Sequence, residues 1–326
     1  MRSAIIGLGV VGCVHLQILA AQKRCVAALC DINKEAASAA AASYCPNTPI
    51  YTDWNTMLDE ISPDTVHICT PHYLHAEMII GCLDRGIHVL CEKPLCMKPG
   101  ELADILAAQK RARTQLAVCQ QNRYKPSFRF VKEYLADKKI RAAHGTLAWS
   151  RSESYYNSAA WRGTAAYEGG GVLINQALHT LDLLRDLCGD PEYVVAGKDN
   201  LTLRGVIEVE DTLSASFFGK TPFTFFATNT GSMDLPPQIQ IVLEDGENVV
   251  WMPDTVLAGG VARQFSTAPD QILGKSCYGS EHATLIDDFY TCIQSGRPFP
   301  IDGTEAARVM RLIFAAYESG GNKVKI

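Results

Sequence analysis

The run Gly7-Leu8-Gly9-Val10-Val11-Gly12 constrains this chain more than any other stretch, because of what flanks it. Residues 3–6 read as a short apolar strand, the residues after Gly12 as a helix to about Ala21, and residues 25–30 as a second strand that Asp31 closes. Strand, glycine turn, helix, strand and acid in this order open a doubly wound parallel sheet that holds a dinucleotide. Gly7 permits the tight turn, Gly9 lets the backbone approach a pyrophosphate, and Gly12 lets the helix pack close to the sheet. Leu8, Val10 and Val11 complete the turn, and the helix N-terminus offers free N–H groups and a positive dipole end to the phosphates.

Asp31 is expected to accept hydrogen bonds from the adenosine ribose hydroxyls. A 2′-phosphate there would meet a fixed negative charge. Ile32 and Asn33 follow it, with Lys34 as the only nearby cation. NAD is therefore expected in preference to NADP. The other reading of Asp31 is an N-cap of a helix over residues 33–43, and both roles can hold together.

The α/β alternation continues through a helix at 54–61, a strand at 65–69, a helix at 74–85, a strand at 87–91, a helix at 100–113 and a strand at 115–119. In an open α/β sheet, ligands sit beyond the carboxyl ends of the strands. The strand at 87–91 stops at Glu92-Lys93-Pro94, since proline cannot donate to a sheet ladder. Glu92 and Lys93 should then point into the crevice, with Thr70 and Asn122 on the same rim. His75 sits one turn into its helix, where a structural hydrogen bond competes with a role at the site.

After about Asn122 the pattern changes to strands, at 143–151, 193–196, 212–218, 223–228, 238–243 and 248–252, several of them alternating apolar with polar as half-covered antiparallel strands do. Helices return at 280–294 and 304–318, and residues 258–280 read as a loop. The fold expected is α/β, an N-terminal Rossmann domain over 1–122 followed by an α+β domain over 123–326 with a large, mostly antiparallel sheet; a length of 326 residues suits two domains. Between the strands lies a second chemical stretch, Trp161-Arg162-Gly163 and then Glu168-Gly169-Gly170-Gly171 leading into a helix. Ile174, Ala177, Leu178, Leu181 and Leu184 make its apolar stripe, and Asn175, His179 and Asp182 fall together on another face.

Bulk properties exclude several classes. A net charge of −5 gives no basic footprint for nucleic acid. No apolar run is long enough to span a membrane. The twelve cysteines are scattered without metal-ligand spacing, which reads as reduced, buried thiols of a cytoplasmic protein, with no metal site expected. Met1 leads almost at once into a strand, so no signal peptide is expected.

These motifs together resemble the glucose-fructose oxidoreductase / inositol dehydrogenase / rhizopine-catabolism (Gfo/Idh/MocA) family over nearly the whole length. The carriers are Gly7 to Gly12, Cys69-Thr70-Pro71, Glu92-Lys93-Pro94, Trp161-Arg162-Gly163, Glu168 to Asp182, Asp288-Phe289-Tyr290 and Gly296-Arg297-Pro298. The resemblance implies NAD(P)-dependent hydride transfer at a secondary alcohol or ketone of a sugar or cyclitol, and a homodimer or homotetramer formed through the open face of the C-terminal sheet. It implies that Lys93 and His179 are the catalytic pair, without deciding which is the base. It makes Thr70, Pro71, His75, Glu92, Lys93, Asn122, Trp161, Arg162 and Tyr278 cofactor contacts, and Arg123, Asn175, Lys93 and His179 substrate contacts. Many relatives carry aspartate where this chain has Asn175, which can orient substrate or His179 but cannot relay a proton. Two rivals share the fold: a redox glycosidase working through transient C3 oxidation, and a non-catalytic NAD-binding regulator.

Overall fold

A computed structural model describes residues 1–265 and 279–326. The chain forms two compact units. The first takes in Met1–Cys96, Gly100–Cys119 and, later in the chain, the helix Gly279–Ser295 and the residues up to Ala306. The second takes in Met97–Pro99, the described chain from Gln120 to Phe265, and Ala307–Ile326.

In the first unit, strands of mostly apolar residues alternate with helices: β1 (Arg2–Ile6), α1 (Val10–Ala21), β2 (Cys25–Cys30), α2 (Lys34–Tyr44), β3 (Ile50–Tyr51), α3 (Trp54–Ile61), β4 (Thr65–Ile68), α4 (His75–Asp84), β5 (His88–Cys91), α5 (Pro99–Arg111) and β6 (Leu116–Val118). The six strands pair in parallel in the order β3-β2-β1-β4-β5-β6. This order reverses direction between β1 and β4, and the crevice at that reversal is where doubly wound sheets bind ligands. Ala4, Ile5, Val66, Ile68, Val89 and Leu90 are wholly buried, as parallel strands covered on both faces require. The register aligns the strand ends: Ile6 lies opposite Cys30 and Ile68, Ile68 opposite Cys91, and Cys91 opposite Val118. Residues just beyond these positions therefore share one rim.

The cap of α2 corrects one expectation. Asn33, not Asp31, is the N-cap, its side chain accepting from Ala36 N at 2.9 Å. Asp31 instead turns both carboxylate oxygens toward backbone, accepting from Leu8 N at 2.6 Å and Asn33 N at 2.8 Å.

The second unit begins with α6 (Pro126–Leu135) and β7 (Ile140–Ala148), followed by the short helices α7 (Glu153–Tyr156), α8 (Ala165–Glu168) and α9 (Val172–Asn175), and by α10 (Leu178–Cys188). Then come β8 (Tyr193–Asp199), β9 (Thr212–Phe218), β10 (Phe223–Thr228), β11 (Gln238–Leu243), β12 (Asn248–Met252), β13 (Thr255–Ala258) and β14 (Val261–Gln264). The helix Gly303–Ser319 and the terminal strand Val324–Lys325 follow later. The nine strands form one sheet, ordered β14-β13-β12-β11-β7-β10-β9-β8 with Val324–Lys325 at the edge; only β7 and β10 pair in parallel. Ile239, Ile241, Phe223, Phe225, Leu213, Phe217, Val249 and Trp251 alternate onto one buried face, while Gln240, Thr224 and Phe226 point to the other.

Two readings of the sequence give way here. The stretch 258–280 does not open as a loop, because Val261–Gln264 pairs with Thr255–Ala258 as a hairpin across Gly259 and Gly260, both at positive φ. The helix after the glycine run is also not continuous: α9 ends at Asn175 and α10 starts at Leu178. Asn175, His179 and Asp182 consequently do not lie along one unbroken helical face.

Candidate active site

In the first unit the glycine turn leaves β1 and enters α1. Gly7 has φ +90°, and a Cβ there would lie 2.7 Å from Cys69 O. At Gly12 a Cβ would lie 1.8 Å from Gly7 O. These two positions are closed by backbone. A Cβ on Gly9 would meet nothing within 4 Å, so open space lies in front of the middle of the turn. Gly9 is the N-cap of α1 and is exposed, and the N–H groups of the first helical turn have no partner within the helix. A closed turn with one open face beside free helical N–H groups fits a pyrophosphate. Leu8 is buried, Val10 is exposed and Val11 lies between. Asp31, behind Leu8 N, keeps lone pairs for ribose hydroxyls.

Thr70 and Pro71 follow the end of β4 and are half-buried. His75 is fully buried, its Nδ1 2.7 Å from Pro94 O and its Nε2 2.9 Å from Thr70 O. Burial lowers its pKa, against those two carbonyls that favour the charged ring. Placed this way, the ring ties the Thr70 and Pro94 segments together and reaches a cofactor only through them.

Glu92 corrects a second expectation. It is buried and turned into the unit rather than toward the rim: Oε1 lies 3.1 Å from His15 Nε2 and 3.5 Å from His282 Nε2, and Oε2 accepts from Lys93 N at 3.2 Å. Burial works to raise its pKa, but the His15 and His282 hydrogen bonds outweigh that and hold the carboxyl well below the usual range. Glu92 thus anchors the Lys93 backbone, and Lys93, half-buried, is the residue of the pair left near the rim.

In the second unit the glycine run is dictated by crowding. A Cβ at Gly170 would lie 2.2 Å from Tyr317 Oη, and one at Gly171 would lie 1.8 Å from Glu210 O. The Glu210 carboxylate, raised in pKa by burial, accepts from Gly171 N at 2.9 Å, Leu173 N at 3.1 Å and Tyr317 Oη at 2.8 Å, which fixes the start of α9. Asn175, at the end of α9, donates from Nδ2 to Glu168 Oε1, and Gly163 N donates to Glu168 Oε2. The buried Glu168 so joins the Trp161-Arg162-Gly163 loop to Asn175.

His179, one turn later in α10, is half-buried with Nε2 3.3 Å from Gln121 Nε2. Arg162 donates to Tyr155 Oη at 2.6 Å and stacks over the Tyr155 and Trp161 rings at 4.5 and 4.6 Å. Tyr155 Oη also accepts from Gln176 Nε2, whose Oε1 accepts from Asn229. Arg123, which the resemblance places on substrate, is held within the second unit. It forms a two-pronged pair with Asp182, Nε to Oδ2 at 2.7 Å and Nη2 to Oδ1 at 2.6 Å, with 11% of its side chain and 1% of the aspartate's exposed. Asn122, beside it in the 3₁₀ turn Gln121–Tyr124, is half-buried. Tyr278 lies outside the described residues.

Gln121, Tyr155 and Gln176 escape a reading of the sequence, which gives neutral polar residues no partner, and Glu168 shows there only as the start of the glycine run, without a partner. Only Gln121, at the end of a strand beside Asn122, carried a positional hint. Among the described residues no disulfide forms; the cysteines are mostly covered, but Cys25 is exposed, against the expectation of burial. No helix among the described residues is long and apolar enough to cross a membrane.

Comparison with known proteins follows the same division. A family model described as an oxidoreductase family with an NAD-binding Rossmann fold matches residues 1–120, and the GFO/IDH/MocA C-terminal domain model matches residues 128–247. Levoglucosan dehydrogenase of Pseudarthrobacter phenanthrenivorans is 30% identical over 43% of this chain and 36% of its own. D-glucoside 3-dehydrogenase of Escherichia coli is 28% identical over 59% of this chain and 55% of its own. In neither does the match reach two thirds of the relative. The crystal structure of the WlbA dehydrogenase from Bordetella pertussis, in complex with NADH and UDP-GlcNAcA, superposes with a TM-score of 0.89 at 26% identity, covering 100% of this chain and 97% of that one.

Proposed function

We propose that this chain, which belongs to the Gfo/Idh/MocA oxidoreductase family, is an NAD-dependent dehydrogenase that oxidises a secondary alcohol of a sugar, sugar derivative or cyclitol, or reduces the matching ketone. The observation that carries this reading is the glycine turn, closed by backbone at Gly7 and Gly12 and open at Gly9, in a sheet whose rim also bears Lys93. Residues 1–122 hold the cofactor in this proposal, and residues 123–326 the substrate. Bound NAD would supply the hydride acceptor.

Oxidation of an alcohol requires loss of the hydroxyl proton. His179 takes it as the general base. Lys93 hydrogen-bonds the same oxygen and steadies its developing negative charge. Glu92 holds the Lys93 backbone, and Glu168 holds Asn175 so that its amide orients and does not titrate. Sugar-type substrates are supported by the names of the relatives, which act on levoglucosan and on glucosides. A cytoplasmic homo-oligomer formed through the uncovered sheet face belongs to the same proposal, supported by Phe226 and Leu257, each more than a third exposed on strands of that sheet.

The test is a panel of inositols, hexoses, nucleotide sugars and aryl glycosides with excess NAD. NADH appearing in step with substrate consumed supports the reading; release of aglycone without NADH overturns it. On the substrate found, Lys93→Met and His179→Ala should each cut turnover about 100–10,000-fold while cofactor affinity stays close to wild type. Near-normal turnover in either variant removes that residue from the assignment.

A further inference from the structure

The cluster behind Glu92 is not used by the chemistry just described. Three side chains that commonly bind metals meet there, all from the first unit and all buried: His15 of α1, Glu92 after β5 and Cys119 after β6, with His282 of the helix Gly279–Ser295 beside Glu92. His15 Nε2 lies 3.1 Å from Glu92 Oε1, Cys119 Sγ lies 3.9 Å from His15 Nε2, and His282 Nε2 lies 3.5 Å from Glu92 Oε1. The ligand atoms of His15, Glu92 and Cys119 all fall within 4.8 Å of one another.

We propose that His15, Glu92 and Cys119 form a buried site for a zinc-like divalent ion, with His282 beside the Glu92 carboxylate. Tetrahedral zinc with bonds of about 2.0–2.3 Å places its ligand atoms roughly 3.3–3.6 Å apart. The two separations from His15 Nε2, 3.1 Å to Glu92 Oε1 and 3.9 Å to Cys119 Sγ, lie within a few tenths of an ångström of that edge. The donor set is an imidazole, a carboxylate and a thiol, a mixture that suits zinc and not the hard, all-oxygen cations. The ion would join α1 and the ends of β5 and β6, and through Glu92 Oε2 it would stiffen the Lys93 backbone.

The surroundings of His15 fit a ligand's second layer. Its Nδ1 lies 2.9 Å from His67 Nδ1, and His67 Nε2 lies 2.9 Å from Tyr290 Oη, which also meets Ser3 Oγ at 2.6 Å. This line of bonds has two polarities. With a metal on Nε2, His15 carries its proton on Nδ1 and donates to His67, which donates from Nε2 to Tyr290. Without a metal, His67 donates to His15 from Nδ1 and His15 donates from Nε2 to Glu92. Each histidine keeps one proton in both states, and binding releases only the Cys119 thiol proton to solvent. Cysteine spacing gives no hint of the site, because its ligands come from three distant segments.

The experiment uses the full chain without an affinity tag. Metal content is measured after purification without chelator, and the chelated protein is titrated with cobalt(II) and followed by visible absorption. Expected are about one zinc per chain and, with cobalt, intense tetrahedral bands with a thiolate-to-metal charge-transfer band that is absent in Cys119→Ser. His67→Asn should weaken binding by about 10–100-fold, as loss of a partner behind a ligand does. No stoichiometric metal with a cobalt spectrum like that of the free ion, or a cobalt spectrum identical in wild type and Cys119→Ser, would overturn the site. Should the variants not fold, the wild-type metal content and charge-transfer band decide the matter alone.

Discussion

Replacing Asn175 by aspartate tests whether Glu168 dictates the residue at that position. Asn175 Nδ2 donates to a carboxylate whose residue is wholly buried, and Asn175 itself is 8% exposed. An ionised aspartate there would face Glu168 with no donor between them. Two carboxylates in such contact keep one proton between them at neutral pH. Holding a proton at pH 7 on a group whose unfolded pKa is ~4 costs about 1.4 kcal/mol per pH unit, or up to ~4 kcal/mol in all. The folded state then binds one proton more than the unfolded state. Stability of Asn175→Asp relative to wild type must therefore fall as pH rises from ~4 toward the pair's raised folded value, and recover in acid. We expect urea unfolding to show a deficit of about 2–4 kcal/mol at pH 7 that shrinks to about 1–1.5 kcal/mol at pH 5. Adding Glu168→Gln exchanges amide and carboxylate across the contact and should restore most of the loss at pH 7. A deficit that stays below about 0.5 kcal/mol and flat from pH 5 to 8 would refute the reasoning, since surface substitutions behave that way.

Gly9→Ala and Gly12→Ala should separate cofactor binding from folding. Open space at Gly9 predicts an unchanged melting temperature with weakened NAD binding, whereas the 1.8 Å approach at Gly12 predicts a protein that melts many degrees lower or does not fold. Arg123→Met should cost about 3–5 kcal/mol in chemical denaturation by leaving Asp182 buried and unpaired, and a second change, Asp182→Leu, should recover much of it. If instead Arg123→Met keeps full stability and raises only KM for substrate, the arginine serves the substrate after all. Asp31→Ser should narrow the preference for NADH over NADPH in a fluorescence titration; an unchanged ratio would remove the charge argument.

The first unit was readable from sequence because its signal is local. A glycine turn between strand and helix, and strands apolar on both faces, depend on residues near one another in the chain, and such periodicities fix element type before any tertiary contact forms. The carboxyl-end rule then placed Lys93 from the position of Pro94 alone. Short edge elements escaped: Ile50–Tyr51 and Val261–Gln264 are strands because partners are available to pair with them, not because of their composition.

Side-chain direction was decided only by tertiary structure. In sequence, Glu92 and Lys93 are neighbours at one strand end, yet the carboxylate turns inward because His15 and His282, each far away in the chain, offer it donors in a dry interior where an unpaired charge is costly. Arg123 and Asn175 likewise show in sequence only as candidate substrate contacts, and that Asp182 and Glu168 hold them was decided by the fold. The identity of a buried polar group is local, but its partner is not, and what such a group does follows from the partner.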